Sequence, residues 1–387
     1  MSPAMDPLGI GIVGCGNIST RYLANAPLFR NVAIRAVTDI NPAVAKAQAK
    51  RFGVEAVPVA AFFERPDIGA IVNLTVPGAH CEVSLAALAA GKHVFSEKPL
   101  SVAPSDGRRL VEEAERRSLL LGVAPDTMLG PGQQLARRII DEGRIGRVVA
   151  GMASLMSRGM EHWHPDPAFF YQPGGGPALD MGPYYITALV NLIGPVRRVV
   201  GMTARGLPER LVTAEGPRKG ERIPVGTPTT AFAVLEFAQG ALVTLTLSWD
   251  VTKHGHRPIE LYGTQGSLRA PDPNFFAGAV ELSEGGGDWQ VIDGKGEALR
   301  RPNVPEAAPI QANYRMLGVA DLAAAIAERR APRASGRLGL HVLEVIDAVM
   351  EAGATGSAIH LAGGERPPPM SDEQRRALLV DPASVTG

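Results

Sequence analysis

The sequence predicts an α/β fold in two parts: an N-terminal doubly wound parallel sheet of the Rossmann type, then an α+β domain on an open-faced, mainly antiparallel sheet. Three observations carry this. Short apolar runs alternate with helical ones between residues 8 and 125, a glycine-rich turn follows the first run, and after about residue 145 the pattern changes to side-to-side alternation. A chain of 387 residues can bury two cores. The division is expected near residue 127, giving parts 1–127 and 128–387.

In the first part, Leu8–Val13, Val32–Thr38, Ala70–Leu74, His93–Phe95 and Leu120–Val123 read as buried strands, each short, apolar and bounded by Gly, Pro or Asp. Between them Pro42–Arg51, His80–Ala90 and Pro104–Arg117 read as helices. Val83, Ala86, Ala87 and Ala90 recur at helical spacing, and Gly91 supplies the stop. Ser105 or Asp106 near the start of the third helix, and Arg116 and Arg117 near its end, suit the helix dipole. In the second part Thr229–Phe237 and Ala241–Trp249 read as strands of a hairpin closed by Ala238-Gln239-Gly240. Val243, Leu245, Leu247 and Trp249 share one face; Thr244, Thr246 and Ser248 share the other. Helices are expected over Tyr314–Arg329 and Leu338–Ala352, the latter with Leu340, Leu343, Ile346 and Val349 in register. Segments 206–228 and 283–309 read as surface loops, and the Pro-rich tail after Gly363 is expected to wrap a neighbour or be mobile.

Composition narrows the function classes. Lys+Arg and Asp+Glu both number 39, so nothing draws the whole chain to nucleic acid or an anionic membrane. Two cysteines, Cys15 and Cys81, form no CxxC pair, which speaks against a disulfide framework or a zinc site and suits a reducing compartment. No leader-like or membrane-spanning run is visible, so a cytoplasmic protein is expected.

Four motifs carry chemistry. Gly14-Cys15-Gly16-Asn17-Ile18-Ser19 follows the first strand: one Gly for a tight turn, the next for close approach of a pyrophosphate, and Ser19 where the usual fingerprint has a third Gly. Asp39, twenty residues beyond Ser19, ends the second strand, where a carboxylate accepts from ribose hydroxyls and repels a 2′-phosphate. NAD is therefore expected over NADP; the competing reading is a strand-end Asp that caps the next helix. Thr75-Val76-Pro77-Gly78-Ala79-His80 follows the strand at 70–74, in a position to put Thr75, Pro77 and His80 beside a cofactor; His80 reads equally as a helix-start residue. Glu97-Lys98-Pro99 follows the strand at 93–95, and a lysine there can hold a substrate hydroxyl and stabilise a developing alkoxide. A cis Pro99 would aim Lys98 inward. Finally, a Gly174-Gly175-Gly176 loop leads into a helix carrying Asp180 and Tyr184 one turn apart on one face. Both can exchange or orient protons; the alternative makes Asp180 a cap and Tyr184 core. His162 and His164 flank Trp163 without enough partners for a metal, and a substrate-contacting loop, with His164 as the contact, is the better reading. His254 and His256 read as an exposed pair.

These residues resemble the Gfo/Idh/MocA oxidoreductases: the turn at Gly14–Ser19, the Ala-Gly-Lys-His-Val stretch before Glu97-Lys98-Pro99, Gly143-Arg144-Ile145-Gly146, and the triple-glycine loop through Asp180-Met181-Gly182. The resemblance implies NAD(P)-dependent hydride transfer to or from a sugar, cyclitol or related polyol, and a C-terminal sheet whose open face is buried in a homodimer or homotetramer. It puts the cofactor on Gly14, Cys15, Gly16, Asn17, Ile18, Asp39, Thr75, Pro77, His80, Glu97 and Lys98. It puts catalysis on Lys98 and Asp180, and it puts Tyr184 where the family's proton-transfer histidine stands. Tyrosine is a weaker base at neutral pH, with an ordinary pKa near ~10. Activation by Lys98, substitution by His164, or different chemistry would each answer that departure. An enzyme that retains and recycles NAD on a glycoside, and a catalytically silent NAD-binding sensor, are the rival readings.

Overall fold

A computed structural model describes residues 6–304 and 311–386. The first part is a six-stranded parallel sheet. Its elements run β1 (Leu8–Val13), α1 (Ser19–Asn25), β2 (Val32–Thr38), α2 (Pro42–Phe52), β3 (Glu55–Ala56), α3 (Val59–Phe62), β4 (Ala70–Asn73), α4 (His80–Ala89), β5 (His93–Ser96), α5 (Pro104–Arg116) and β6 (Leu121–Val123). The strands lie in the order β3-β2-β1-β4-β5-β6, so the order reverses between β1 and β4, which opens a crevice at their carboxyl ends. β4 is buried throughout, as a parallel strand covered on both faces must be.

The second part contains α6 (Pro131–Asp141), β7 (Val148–Met156), α7 (Gly176–Ile193), β8 (Val196–Ala204), β9 (Glu209–Leu211), β10 (Arg222–Pro224), β11 (Thr230–Phe237), β12 (Leu242–Ser248), β13 (Ile259–Gly263), β14 (Gly266–Ala270), β15 (Val280–Glu284), β16 (Gln290–Ile292), α8 (Leu317–Glu328), α9 (Gly336–Thr355), β17 (Ile359–His360) and α10 (Asp372–Leu378). Nine of its strands form one sheet, β16-β15-β14-β13-β7-β12-β11-β8-β17. All neighbours are antiparallel except β7 and β12, which run parallel. The alternation predicted for 241–249 holds: Val243, Leu245, Leu247 and Trp249 are buried, packing toward the layer formed by α7 and α9. On the opposite face Met202 is 78% and Phe232 56% exposed, so the sheet is open on that side.

Three expectations need correction. Segment 206–228 contains the β9–β10 hairpin, and 283–309 contains the end of β15 and all of β16; residues 305–310 lie outside the described chain. Both hairpins are held by backbone ladders that a Gly- and Pro-rich composition conceals. The helix expected from Tyr314 begins at Leu317. Met316 has φ of 118°, and Asp126 Oδ2 accepts from the N–H groups of Met316 and Gly318 at 3.3 and 2.9 Å, capping the helix from another element. The tail packs on its own chain, first against the second part through Arg366 and Met370 and then, at residues 378–380, against the Rossmann domain. Arg30 donates to the carbonyl of Leu379 at 2.8 Å, Val380 N–H donates to Leu28 O at 2.9 Å, and buried Arg375 pairs with Glu297 at 3.0 Å.

The two sheets meet through α8 and α9. A Cβ on Gly339 of α9 would lie 2.3 Å from a Val123 methyl, so only glycine lets that helix reach β6. This close approach brings the carboxyl end of β5 opposite α7.

Candidate active site

The turn after β1 is built for a close-lying ligand. Gly14 has φ of 95°, and a Cβ there would come within 2.6 Å of the Leu74 carbonyl; a Cβ on Gly16 would instead enter open space. Asp39 is held facing this turn, its Oδ2 accepting from Cys15 N–H and its Oδ1 from Asn41 N–H, both at 2.8 Å. The cap of α2 is Asn41, which accepts from Ala43 N–H at 3.0 Å, so Asp39 is not the capping residue. Next to it Cys15, Ala43, Val44, Ala47, Gln48 and Arg51 line an open groove with an apolar helix face. Turn, carboxylate and groove fit a dinucleotide: glycine backbone for the pyrophosphate, Asp39 for the ribose, small apolar side chains for the base.

The loops after β4 and β5 are tied together from behind. His80 is 1% exposed, with Nδ1 2.7 Å from the Pro99 carbonyl and Nε2 3.0 Å from that of Thr75. Its ring is therefore wedged between the two loops, the neutral imidazole donating its one N–H to one of these carbonyls, and it presents nothing to the crevice, against its expected place beside the cofactor. Burial holds its pKa below the ordinary histidine value. Asn73, which the motif reading missed, accepts from Thr75 Oγ1 at 2.7 Å and donates to the His80 carbonyl at 3.0 Å. Glu97 also looks inward: Tyr22 Oη donates to one carboxylate oxygen at 2.9 Å, and the Lys98 N–H donates to the other at 3.0 Å. It braces the turn instead of facing the crevice.

The Lys98–Pro99 peptide is cis. Lys98 Nζ reaches α7, donating to Asp180 Oδ1 and to the Asp180 carbonyl, each at 2.7 Å. Burial by itself would favour the neutral amine, but the Asp180 carboxylate and the Tyr184 phenol together raise the Lys98 pKa above its ordinary value. Lys98 is thus a fixed ammonium. Asp180 lies a full turn inside α7, not at its cap.

Tyr184 supplies the largest surprise. Lys98 Nζ lies 5.3 Å from the centre of its ring, whereas its hydroxyl accepts from Arg315 Nη2 at 3.0 Å. Arg315 is buried and oriented by the Asn313 side chain at 2.8 Å; burial weakens its charge, but Tyr184, Glu97, Tyr22 and Asp126 outweigh that and raise its pKa. Of the alternatives for Tyr184, activation of the hydroxyl by direct contact with Lys98 is not what the geometry offers: the cation on the hydroxyl is Arg315. No motif surrounds Arg315, and only the chain's return from the second sheet brings it to α7.

Lys98, Asp180, Tyr184, Ser157 and Asn274 line one side of a cleft of about 350 Å³; Trp163, Phe170 and buried Trp249 line the other. His164 is not among the lining residues. Its Nδ1 accepts from Asp166 N–H at 3.1 Å and its ring packs on Trp163, Phe169 and Phe170, which corrects its expected role as a substrate contact. His254 and His256 stack on an exposed loop. Among the described residues no group of three or more His, Cys, Asp or Glu side chains is placed to hold a metal ion.

Comparison with known proteins agrees with this geometry. Residues 8–124 match the oxidoreductase family with an NAD-binding Rossmann fold, and residues 133–269 match the GFO/IDH/MocA C-terminal domain. The chain belongs to the GFO/IDH/MocA family of NAD-binding oxidoreductases. It is 25% identical to levoglucosan dehydrogenase of Pseudarthrobacter phenanthrenivorans over 68% of this chain and 73% of that enzyme. It is 31% identical to dTDP-3,4-didehydro-2,6-dideoxy-alpha-D-glucose 3-reductase of Saccharopolyspora spinosa over 68% of this chain and 74% of that enzyme. The structure of levoglucosan dehydrogenase in complex with NADH superposes with a TM-score of 0.76 over 92% of this chain and all of that one, at 22% identity.

Proposed function

We propose that the protein transfers a hydride between NAD and a ring carbon of a sugar, cyclitol or related polyol, with Lys98, Asp180 and Tyr184 as the catalytic group. The observation that carries this is the Lys98–Asp180 pair: an ammonium fixed in the cleft at the carboxyl end of β5, in the same parallel sheet whose first strand ends in the dinucleotide turn. Residues 1–127 would hold the cofactor and 128–387 the substrate. Gly14, Cys15, Gly16, Asn17, Ile18, Asp39, Thr75 and Pro77 are the residues assigned to the dinucleotide, which when bound supplies the hydride acceptor or donor.

The remaining work falls to the chain. Lys98 stays protonated, so it is not the base; it donates to the reacting oxygen and stabilises alkoxide character there. Asp180 fixes the direction of that ammonium. Tyr184 takes the hydroxyl proton in oxidation and returns it in reduction. Because its oxygen already accepts from Arg315, its own O–H is free to point at the substrate, and Arg315 stabilises the phenolate when the proton moves. Arg315 is thus a positioning residue acting through Tyr184. The relatives' names support the substrate class, since they include levoglucosan dehydrogenase and myo-inositol 2-dehydrogenase.

Self-association through the open sheet face, where Met202 and Phe232 are exposed, and a cytoplasmic location belong to the same reading. Among the described residues no helix is long and apolar enough to cross a membrane. The test is reduced-nicotinamide absorbance across a panel of sugars, cyclitols and sugar acids with NAD and NADP. Turnover of at least one is expected; none, with NAD still binding, would overturn the reading.

A further inference from the structure

The loop between β7 and α7, together with Trp249 just after β12, forms a run of aromatic rings that the catalytic reading leaves unused. Trp249, fully buried at the floor of the cleft, meets Phe170 edge-on with ring centres 5.9 Å apart. Phe170 is 5.3 Å from His164, which is 5.4 Å from Trp163, while Phe169 lies 4.0 Å from Phe170. The run climbs from floor to rim, where Trp163 is 62% and Phe169 56% exposed. The loop holding it is firmly tied. Tyr171 Oη donates to buried Glu161 and accepts from Met160 N–H at 2.9 Å, and the N–H groups of Trp163 and His164 both donate to the Met160 carbonyl, at 3.2 and 2.9 Å. Trp163, a lining residue of the cleft, is thus held in water by a braced loop, with Phe169 exposed beside it against Phe170.

The cleft is consequently two-sided in character. At its inner end Lys98, Asp180, Tyr184, Ser157 and Asn274 offer hydrogen bonds to ring hydroxyls; toward the rim the lining is Trp163, Phe170, Met160 and Leu155, with no cation besides Lys98 among the described lining residues. An uncharged ring with a flat C–H or π face suits that outer wall, because aromatic faces attract positively polarised ring edges and C–H groups. A phosphate or carboxylate there would lack a counter-ion. We infer that the outer end is a subsite for the second ring of a glycoside: the reacting sugar lies against Lys98, and a pyranosyl or aryl group joined to it packs on Trp163 and Phe170. This rests on the proposed sugar site at Lys98, and it names the substrate class as glycosides in preference to free monosaccharides.

The experiment is calorimetric titration of the NADH-loaded protein with methyl and phenyl glycosides of glucose, galactose and mannose, and with matching disaccharides, alongside turnover with NAD. For at least one sugar the phenyl glycoside or disaccharide is expected to bind about tenfold more tightly than the methyl glycoside, the order that one aromatic contact supplies. Trp163→Ala, at an exposed position, should bring that ratio near one, and Phe170→Leu should reduce it. Preference for the phenyl compound identifies an aromatic aglycone, and preference for the disaccharide a second sugar. Equal affinities in the wild type, an unchanged ratio in Trp163→Ala, or no binding of any glycoside would overturn the subsite. Discrimination without oxidation of these glycosides or of any sugar in the wider panel would support the subsite while overturning the dehydrogenase reading.

Discussion

Replacing Arg315 by Met tests the assignment of Tyr184 most directly. The guanidinium lies 3.0 Å from the Tyr184 oxygen and is buried, so its hydrogen bond is charge-assisted and poorly screened. A net hydrogen bond of this kind is worth about 1.5–3 kcal/mol. Full Coulomb attraction to a phenolate at that distance is about 5 kcal/mol at an effective dielectric of about 20. A loss of about 2–4 kcal/mol in the transition state lies between these and corresponds to a fall in kcat of about 30- to 1000-fold. The pH of half-maximal oxidation should also rise, because the proton acceptor has lost an adjacent cation. Steady-state kinetics over a pH series measures both, with NADH titration confirming that the folded site still binds cofactor. Arg315→Lys keeps the charge and should recover part of the rate. The double variant with Tyr184→Phe is decisive: if Arg315 acts through Tyr184, it should lose little beyond Tyr184→Phe alone. Unchanged kcat in Arg315→Met, or additive losses in the double variant, would refute the reasoning.

Three further outcomes follow from the same geometry. Lys98→Ala should lower kcat by about 100-fold or more through loss of the donor on the reacting oxygen, with NAD affinity nearly unchanged by fluorescence titration; undiminished turnover would remove Lys98 from catalysis. Asp39→Ala should weaken NAD and shift the NAD-to-NADP preference by about tenfold toward NADP, since a carboxylate facing the ribose also repels a 2′-phosphate; an unaltered preference would take Asp39 off the ribose. Burial pushes the Asp126 carboxyl up to about 6, against its two helix N–H donors and Arg315. Between the ordinary carboxylate value and about 6 the folded chain keeps a proton that the unfolded chain releases, so this group's contribution to stability is present at about pH 4 and is lost as pH rises through about 6. Asp126→Asn should therefore gain on the wild type by up to about 3 kcal/mol from pH 4 to 7 in urea unfolding; parallel stability curves would contradict it.

The Rossmann half was legible because its signals are local. The buried runs at Leu8–Val13 and Val32–Thr38 appear in the structure at the same residues, and the Gly14 turn and Asp39 sit where strand ends must put them. Lys98 and Asp180 were each legible from motifs standing at element ends, one after β5 and one in the first turns of α7, while their pairing is a tertiary contact. What the sequence did not show depends on side chains meeting across long separations. Arg315 reaches Tyr184 from 131 residues away, and Glu97 and His80 turn inward because Tyr22 and the Thr75 and Pro99 carbonyls stand behind them. A motif fixes where a side chain leaves the backbone, but burial and available partners fix which way it points. For the same reason His164 gave way to its neighbours Trp163 and Phe170 at the cleft. By itself the sequence determined the fold class, the dinucleotide turn and the lysine of the site; only tertiary packing decided which cation serves Tyr184 and which rings line the mouth, because those contacts have no period or spacing along the chain.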